Sequence, residues 1–275
     1  MMMRYGKKNT RFISTVIVPV LFLLFLAAPG FAQSPGEWEI GFEVSDIRYE
    51  EPGIMEQEGT MYGICASYTH RAEHMFRIEG RYAAGQVDYT STNTGTMSDI
   101  DDYLFELRFL FGSDYKLDSG AVLTPYIGFG YRYLNDDSGR MTTSTGHKGY
   151  ERESNYYYSP IGIELMSDLG NDWSWGFTAE YDIFWYGLQK SHLSDVNPAY
   201  RDLENDQNSG YGARGSIKLL RRGETTGLLI EPYIRYWDIN QSETTVISYS
   251  GFIVGYGYEP ENNSTEIGLK IAIMF

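Results

Sequence analysis

The sequence predicts an all-β chain: an antiparallel up-and-down transmembrane β-barrel of ten strands, with eight or twelve as the alternatives. Three observations predict it. Short segments in which apolar and polar side chains alternate recur from Trp38 to Phe275, the period-two signature of strands with one oily and one polar face. The links between them alternate short and long, as in barrels with tight turns at one rim and larger loops at the other. After residue 32 no apolar run approaches the roughly 20 residues of a spanning helix, so a membrane would be crossed by strands.

Ahead of the strands, Arg4, Lys7, Lys8 and Arg11 form a basic region, Val16 to Ala28 is almost wholly apolar, and Gly30-Phe31-Ala32 has the small-x-small form of a signal-peptidase site. This reads as a cleaved secretory signal over residues 1–32, with the barrel domain over 33–275. The apolar run is too short for a spanning anchor, and Pro19 breaks it. Cys65 is the sole cysteine and lies far from the cleavage site, so neither a lipid anchor nor an internal disulfide is expected. Removing the four bases of the signal from 22 leaves 18 Lys and Arg against 37 Asp and Glu, a net charge of −19. Such an acid excess argues against nucleic acid as a partner, because phosphate binding needs clustered Lys and Arg.

The first strand, Trp38 to Tyr49, sets Trp38, Ile40, Phe42 and Val44 against Glu39, Gly41, Glu43 and Ser45. The second, Met61 to Thr69, alternates Tyr62, Ile64, Ala66 and Tyr68 with Gly63, Cys65 and Ser67. In the third, Met75 to Thr90, Phe76, Ile78, Tyr82 and Ala84 oppose Arg77, Glu79 and Arg81. The fourth, Tyr103 to Phe111, is apolar at every odd position, with Glu106 and Arg108 opposite. The fifth (Val122 to Leu134) and ninth (Leu228 to Ile239) share a Pro-Tyr-Ile start. Between them lie the sixth (Tyr156 to Met166), seventh (Trp173 to Gln189) and eighth (Tyr211 to Leu220). The tenth, Glu266 to Phe275, alternates Ile267, Leu269, Ile271, Ile273 and Phe275 with Glu266, Gly268, Lys270, Ala272 and Met274. Long loops are expected over Glu50–Thr60, Ser91–Asp102, Asn135–Asn155, Lys190–Gly210 and Asn240–Thr265.

Alternation alone does not say which face is inside. Tyr and Trp gather at strand ends, with Trp38, Trp173 and Trp175 near one rim and Tyr131, Tyr133, Trp185 and Tyr236 near the other, as membrane-interface girdles do. The polar faces collect nearly balanced charges: Glu43, Glu79, Glu106, Glu164, Glu180, Glu231 and Glu266 with Arg77, Arg81, Arg108, Arg132, Arg214, Lys218, Arg235 and Lys270. Glu39 and Asp182 share those faces. In a narrow barrel these charges are expected to pair as a polar plug, because an unpaired ion away from water costs several kcal/mol. Tyr126, Phe184, Tyr186 and Tyr233 are expected to narrow the lumen further.

The closing strand, ending on an aromatic, resembles the C-terminal signal of outer-membrane β-barrel proteins, in which Ile271, Ile273 and Phe275 would be read by the barrel assembly machinery. The chain from its signal to that strand resembles the small outer-membrane β-barrel superfamily of porin-like, opacity-like and outer-membrane protein A-like barrels. The resemblance implies the outer membrane of a Gram-negative bacterium and a non-enzymatic structural or surface-interaction role through acidic outer loops. Lipid, lipopolysaccharide, the assembly machinery and a surface ligand would be the partners. A narrow porin-like channel is the first alternative.

An enzyme is the second alternative. Omptins are ten-stranded outer-membrane proteases whose site pairs an Asp-x-Asp element with an Asp-His pair. Asp99 and Asp101 on one side, and His192 with Asp195 on the other, are the nearest match here, with the His and Asp reversed in order and two residues apart. Carboxylates could polarise a water while His192, oriented by Asp195, takes its proton. Ser144, His147 and Glu151 are residue types used by lipid A deacylases. Ordinary solvated loops explain both sets more simply. The loop acids Glu50, Glu51, Glu56, Glu58, Asp99, Asp101, Asp102, Asp195, Asp202, Glu204 and Asp206 could also bridge calcium or magnesium to lipopolysaccharide phosphates, although solubility accounts for them as well. No cofactor and no dedicated metal site is expected; His70 and His74 flank a turn without metal-ligand spacing.

Overall fold

Period-two alternation over ten segments becomes one closed antiparallel sheet in the computed structural model, which describes residues 36–275. The segments are β1 (Gly36–Glu51), β2 (Met55–Arg71), β3 (Met75–Ser91), β4 (Gly95–Gly112), the short β5 (Tyr115–Lys116), β6 (Val122–Asp137), β7 (Glu151–Gly170), β8 (Trp173–Ser191), β9 (Leu203–Gln207), β10 (Gly210–Arg222), β11 (Gly227–Ile239), β12 (Thr245–Tyr249), β13 (Phe252–Gly257) and β14 (Asn262–Met274). The wall runs β1, β2, β3, β4, β6, β7, β8, β10, β11, β14 and back to β1. Those ten strands are the ten that the alternation predicts. The proposed signal, residues 1–32, lies outside the described residues.

Closure rests on the first and last of the described strands. β14 pairs β1 from Glu39 opposite Met274 to Glu50 opposite Asn263, and Trp38 and Phe275 exchange backbone hydrogen bonds of 2.9 and 3.0 Å. The terminal strand thus leaves no open edge at the seam.

Which face is inside is decided by exposure. Phe42 is 73% exposed and Ile267 59%, whereas their neighbours Glu43 and Glu266 are 4% and 2%. Oil outside and charge inside is the inverse of a soluble barrel and the pattern of a membrane wall. Outside, ring contacts link Tyr82, Tyr103 and Tyr133, then Tyr131, Tyr157 and Tyr186, then Tyr181, Tyr211 and Tyr236, a belt of aromatics towards the loop rim.

Inner aromatics lie flat on glycines of the neighbouring strand. A Cβ at Gly130 would overlap the Tyr158 ring, and one at Gly268 would overlap Tyr233, so a side chain at either position would push the tyrosine off the wall. Tyr126, Phe184 and Tyr233 point inward as expected. Tyr186 does not. A β-bulge opposite Tyr157 and Tyr158 inserts Trp185 into β8, reverses the alternation, and turns Tyr186 outward to stack on Tyr157.

Two expected long loops are tight hairpins. β1 continues to Glu51 and β2 begins at Met55; β3 continues to Ser91 and β4 begins at Gly95. Above the membrane the outer face is polar, so the oily half of the alternation fades while the sheet hydrogen bonds continue. The other three links at this rim are longer, and the last carries the separate β12–β13 hairpin.

Candidate functional site

The lumen is built in tiers. Towards the terminal rim, Glu164 accepts from Arg71 (2.7 Å), Arg77 (3.1 Å) and Lys218 (2.6 Å), while Lys270 bridges Glu39 (2.8 Å) and Glu231 (2.5 Å). Higher, Arg81 binds Glu43 (2.9 Å), Glu106 (2.9 Å) and Glu266 (2.7 Å). Arg235 shares Glu266 at 2.8 Å, and Arg214 binds Glu106 (2.5 Å) and Asp182 (2.8 Å). Arg108 joins Glu79 at 2.9 Å and Glu180. Tyrosine hydroxyls fill remaining acceptor positions: Tyr126 donates to Glu180, Tyr158 to Glu106 and Tyr233 to Glu266. The structure therefore gathers fourteen of the fifteen sequence-predicted lumen charges into ion pairs.

Arg132 is the exception. Its buried guanidinium lies over the rings of Tyr156 and Trp237, 5.9 and 5.5 Å from their centroids, and donates to Ser264 at 3.4 Å. Among the described residues no carboxylate stands within ion-pair distance of it. Cation–π attraction in a desolvated layer replaces the salt bridge.

A cavity of about 370 Å³ occupies the terminal half of the barrel, lined by Arg77, Glu79, Glu164, Lys218 and Glu231 and ending against Arg81, Glu106, Arg214 and Tyr233. Above it Tyr156, Tyr158, Phe184, Trp237 and Ile239 pack together, and beside them Ile47, Met61, Val87, Ile100 and Leu104 form a second apolar cluster. This apolar tier is the part of the lumen that sequence reasoning missed. Its signal was present: Ile100 and Leu104 sit in the inward register of β4, whose lower inward positions Glu106 and Arg108 are charged.

At the loop rim the omptin-like residues do not assemble. His192 follows β8, and its ring nitrogens meet Glu153 (2.7 Å) and Asp202 (3.4 Å). Asp195 is not its partner: the 3₁₀ turn Leu193–Asp195 carries that carboxylate to the backbone N–H of Glu151 at 3.1 Å. Asp99 sits in the β3–β4 hairpin with φ +59° and accepts no bond from His192, and Asp101 accepts from Gln86 at 3.1 Å. Burial opposes charging of His192, but the hydrogen bond it donates to Glu153 and the charges of Glu151, Glu153 and Asp202 outweigh it and raise its pKa. Ligand atoms of Glu151, Glu153 and His192 lie within 4.8 Å of one another, close enough for a metal ion, with both ring nitrogens already engaged by carboxylates. Ser144, His147 and Glu151 also stay apart in bonding: Ser144 accepts from the Thr96 N–H, His147 meets Thr145, and Glu151 accepts from Asn135. The mouth holds a further ion group, Arg152 with Glu51 (2.5 Å) and Glu259.

The outer membrane protein beta-barrel domain model matches residues 18–186. The chain belongs to that family. Its members are outer-membrane barrels of Gram-negative bacteria, in agreement with the oily wall and charged lumen. No curated protein sequence matches the chain. Among solved structures, the outer membrane protease OmpT of Escherichia coli is similar at 9% identity, covering 87% of this chain and 96% of its own, with a TM-score of 0.59. The translocator domain of the autotransporter NalP from Neisseria meningitidis is 10% identical over 94% of this chain and 96% of its own, at a TM-score of 0.41. Ail, the attachment invasion locus protein of Yersinia pestis, is 10% identical over 88% and 99%, at 0.32. At such identities the likeness to OmpT is one of fold.

Proposed function

We propose that this outer-membrane barrel is a non-enzymatic structural and surface-interaction protein, exported by its residue 1–32 signal and working through its loop rim. The β12–β13 hairpin carries the reading. Phe252 is 75% exposed and Tyr256 71%, with Ile253 and Val254 beside them, on an otherwise acidic rim. An apolar hairpin held out in this way is a contact element for an apolar patch on a surface ligand. It is anchored along β12 and at its base: the Arg201 N–H donates to Ser248 at 3.1 Å and the Ser250 N–H to Ala199 at 2.7 Å near the turn, and Asn205 donates to Gly257 at 3.4 Å at the base. The oily wall would sit in lipid and lipopolysaccharide, and Ile271, Ile273 and Phe275 would present the strand read by the assembly machinery.

Adhesion of cells displaying the barrel to hydrophobic polystyrene tests the reading. Wild type should adhere, and a Phe252→Ser, Ile253→Ser, Tyr256→Ser variant should lose most of the gain over barrel-free cells while keeping its folded mobility on gels. Equal adhesion by all three would count against it, as would peptide cleavage or lipid A deacylation by the purified wild type.

A further inference from the structure

From Thr244 to Tyr258 the chain carries no charged residue, although Glu243 and Glu259 bound this run and Asp202, Glu204 and Asp206 lie in and beside the neighbouring β9. Strand register sorts the side chains of the β12–β13 hairpin. Val246 with Tyr256 and Ser248 with Ile253 share one face, and Tyr249 with Phe252 the other. Val254 is the extra residue of a β-bulge between Ile253 and Gly255. Both faces are therefore apolar and open: Phe252 stands exposed on one, Ile253 and Tyr256 on the other, with Val254 exposed at the bulge. The hairpin is held by β12. Ser248 accepts from the Arg201 N–H, the Ser250 N–H donates to Ala199, and the Tyr249 ring meets Tyr200 edge-on at 4.9 Å, so β13 is the outer strand.

We propose that the tip of this hairpin inserts into the interfacial layer of a bilayer facing the rim, one with zwitterionic headgroups; this rests on the contact role proposed above and names the partner. A folded protein laid on either face would leave Phe252, or Ile253 and Tyr256, in water, whereas lipid surrounds both faces at once. The uncharged run avoids the cost of carrying an ion into the bilayer, and Tyr249, Tyr256 and Tyr258 bring rings with a polar tip, the type that settles at headgroup level. The backbone limits the depth. Along the outer edge of β13, N–H and C=O groups keep their water only if insertion stops at the interface. Charge selects the headgroup: Glu243, Asp202, Glu204 and Asp206 beside the hairpin repel an anionic surface and leave a neutral one accessible.

Capture of fluorescent vesicles by cells displaying the full chain tests this. Wild type should capture phosphatidylcholine vesicles, and the Phe252→Ser, Ile253→Ser, Tyr256→Ser variant should capture roughly tenfold fewer or less, with its folded mobility on gels unchanged. Phosphatidylglycerol vesicles should be captured several-fold less than phosphatidylcholine at low salt, and added salt should narrow the gap. A Phe252→Cys variant in a Cys65→Ser background, labelled with an environment-sensitive fluorophore, should shift its emission to the blue when phosphatidylcholine vesicles are added. No capture by wild type, equal capture by the serine variant, a preference for phosphatidylglycerol, or an unshifted fluorophore would each overturn the lipid assignment. Polystyrene adhesion that depends on the hairpin, without vesicle capture, would overturn it and leave the contact role standing; adhesion and capture both indifferent to the hairpin would remove the contact role as well.

Discussion

Arg81 shows what a single residue contributes inside this barrel. Its guanidinium satisfies Glu43, Glu106 and Glu266, carboxylates from three other strands, all of them buried. Arg81→Ala would orphan those charges, and removing one partner of a buried ion pair costs about 3–5 kcal/mol. Urea unfolding in lipid vesicles should show that loss, with a smaller one for Arg132→Ala, which orphans no carboxylate; equal effects would contradict the network. The charged register was legible in the sequence, because every second residue of a strand faces the same side. The pairs were not, because Arg81 and Glu266 stand 185 residues apart. His192 illustrates the same limit: its partners are Glu153 on β7 and Asp202 just before β9, while the sequence-near Asp195 turns away. Asp102 and Asp136 likewise become neighbours only through strand register.

Each strand is a wall segment with a lipid face and a lumen face, and the two tolerate opposite substitutions. Phe42, opposite Ile271 on β1, lies in the middle of the oily wall. Phe42→Arg should cost about 2–4 kcal/mol in a bilayer, the depth-dependent penalty of a cation on a barrel's lipid face. Phe252→Arg, on the β12–β13 hairpin, should stay within about 0.5 kcal/mol. Vesicle unfolding midpoints that shift alike for both would place the two residues in the same environment. The alternation was enough to find all ten wall strands, yet it ended several too early. Beyond the membrane the outer face becomes polar and the pattern weakens, while backbone pairing continues to Glu51, Met55, Ser91 and Gly95. The bulge at Trp185 was likewise hidden, since an extra residue leaves composition unchanged and shows only in the pairing that turns Tyr186 outward.

At the scale of the whole barrel, the described residues form a tube sealed by its own side chains. Its cavity ends at the layer of Arg81, Glu106 and Arg214, and the aromatic and aliphatic tier lies beyond. Purified barrel in planar bilayers should therefore add no stable ion conductance, and regular single-channel steps would contradict the sealed lumen. Ten alternating strands and the charges that share one face of each followed from sequence alone, because side-chain direction along a strand is a local property. Only the tertiary structure decided which charges pair, that an apolar tier caps them, and that Phe252 and Tyr256 stand clear of the rim. Those outcomes depend on which strand ends meet around a closed sheet, and no single segment of the chain carries that information.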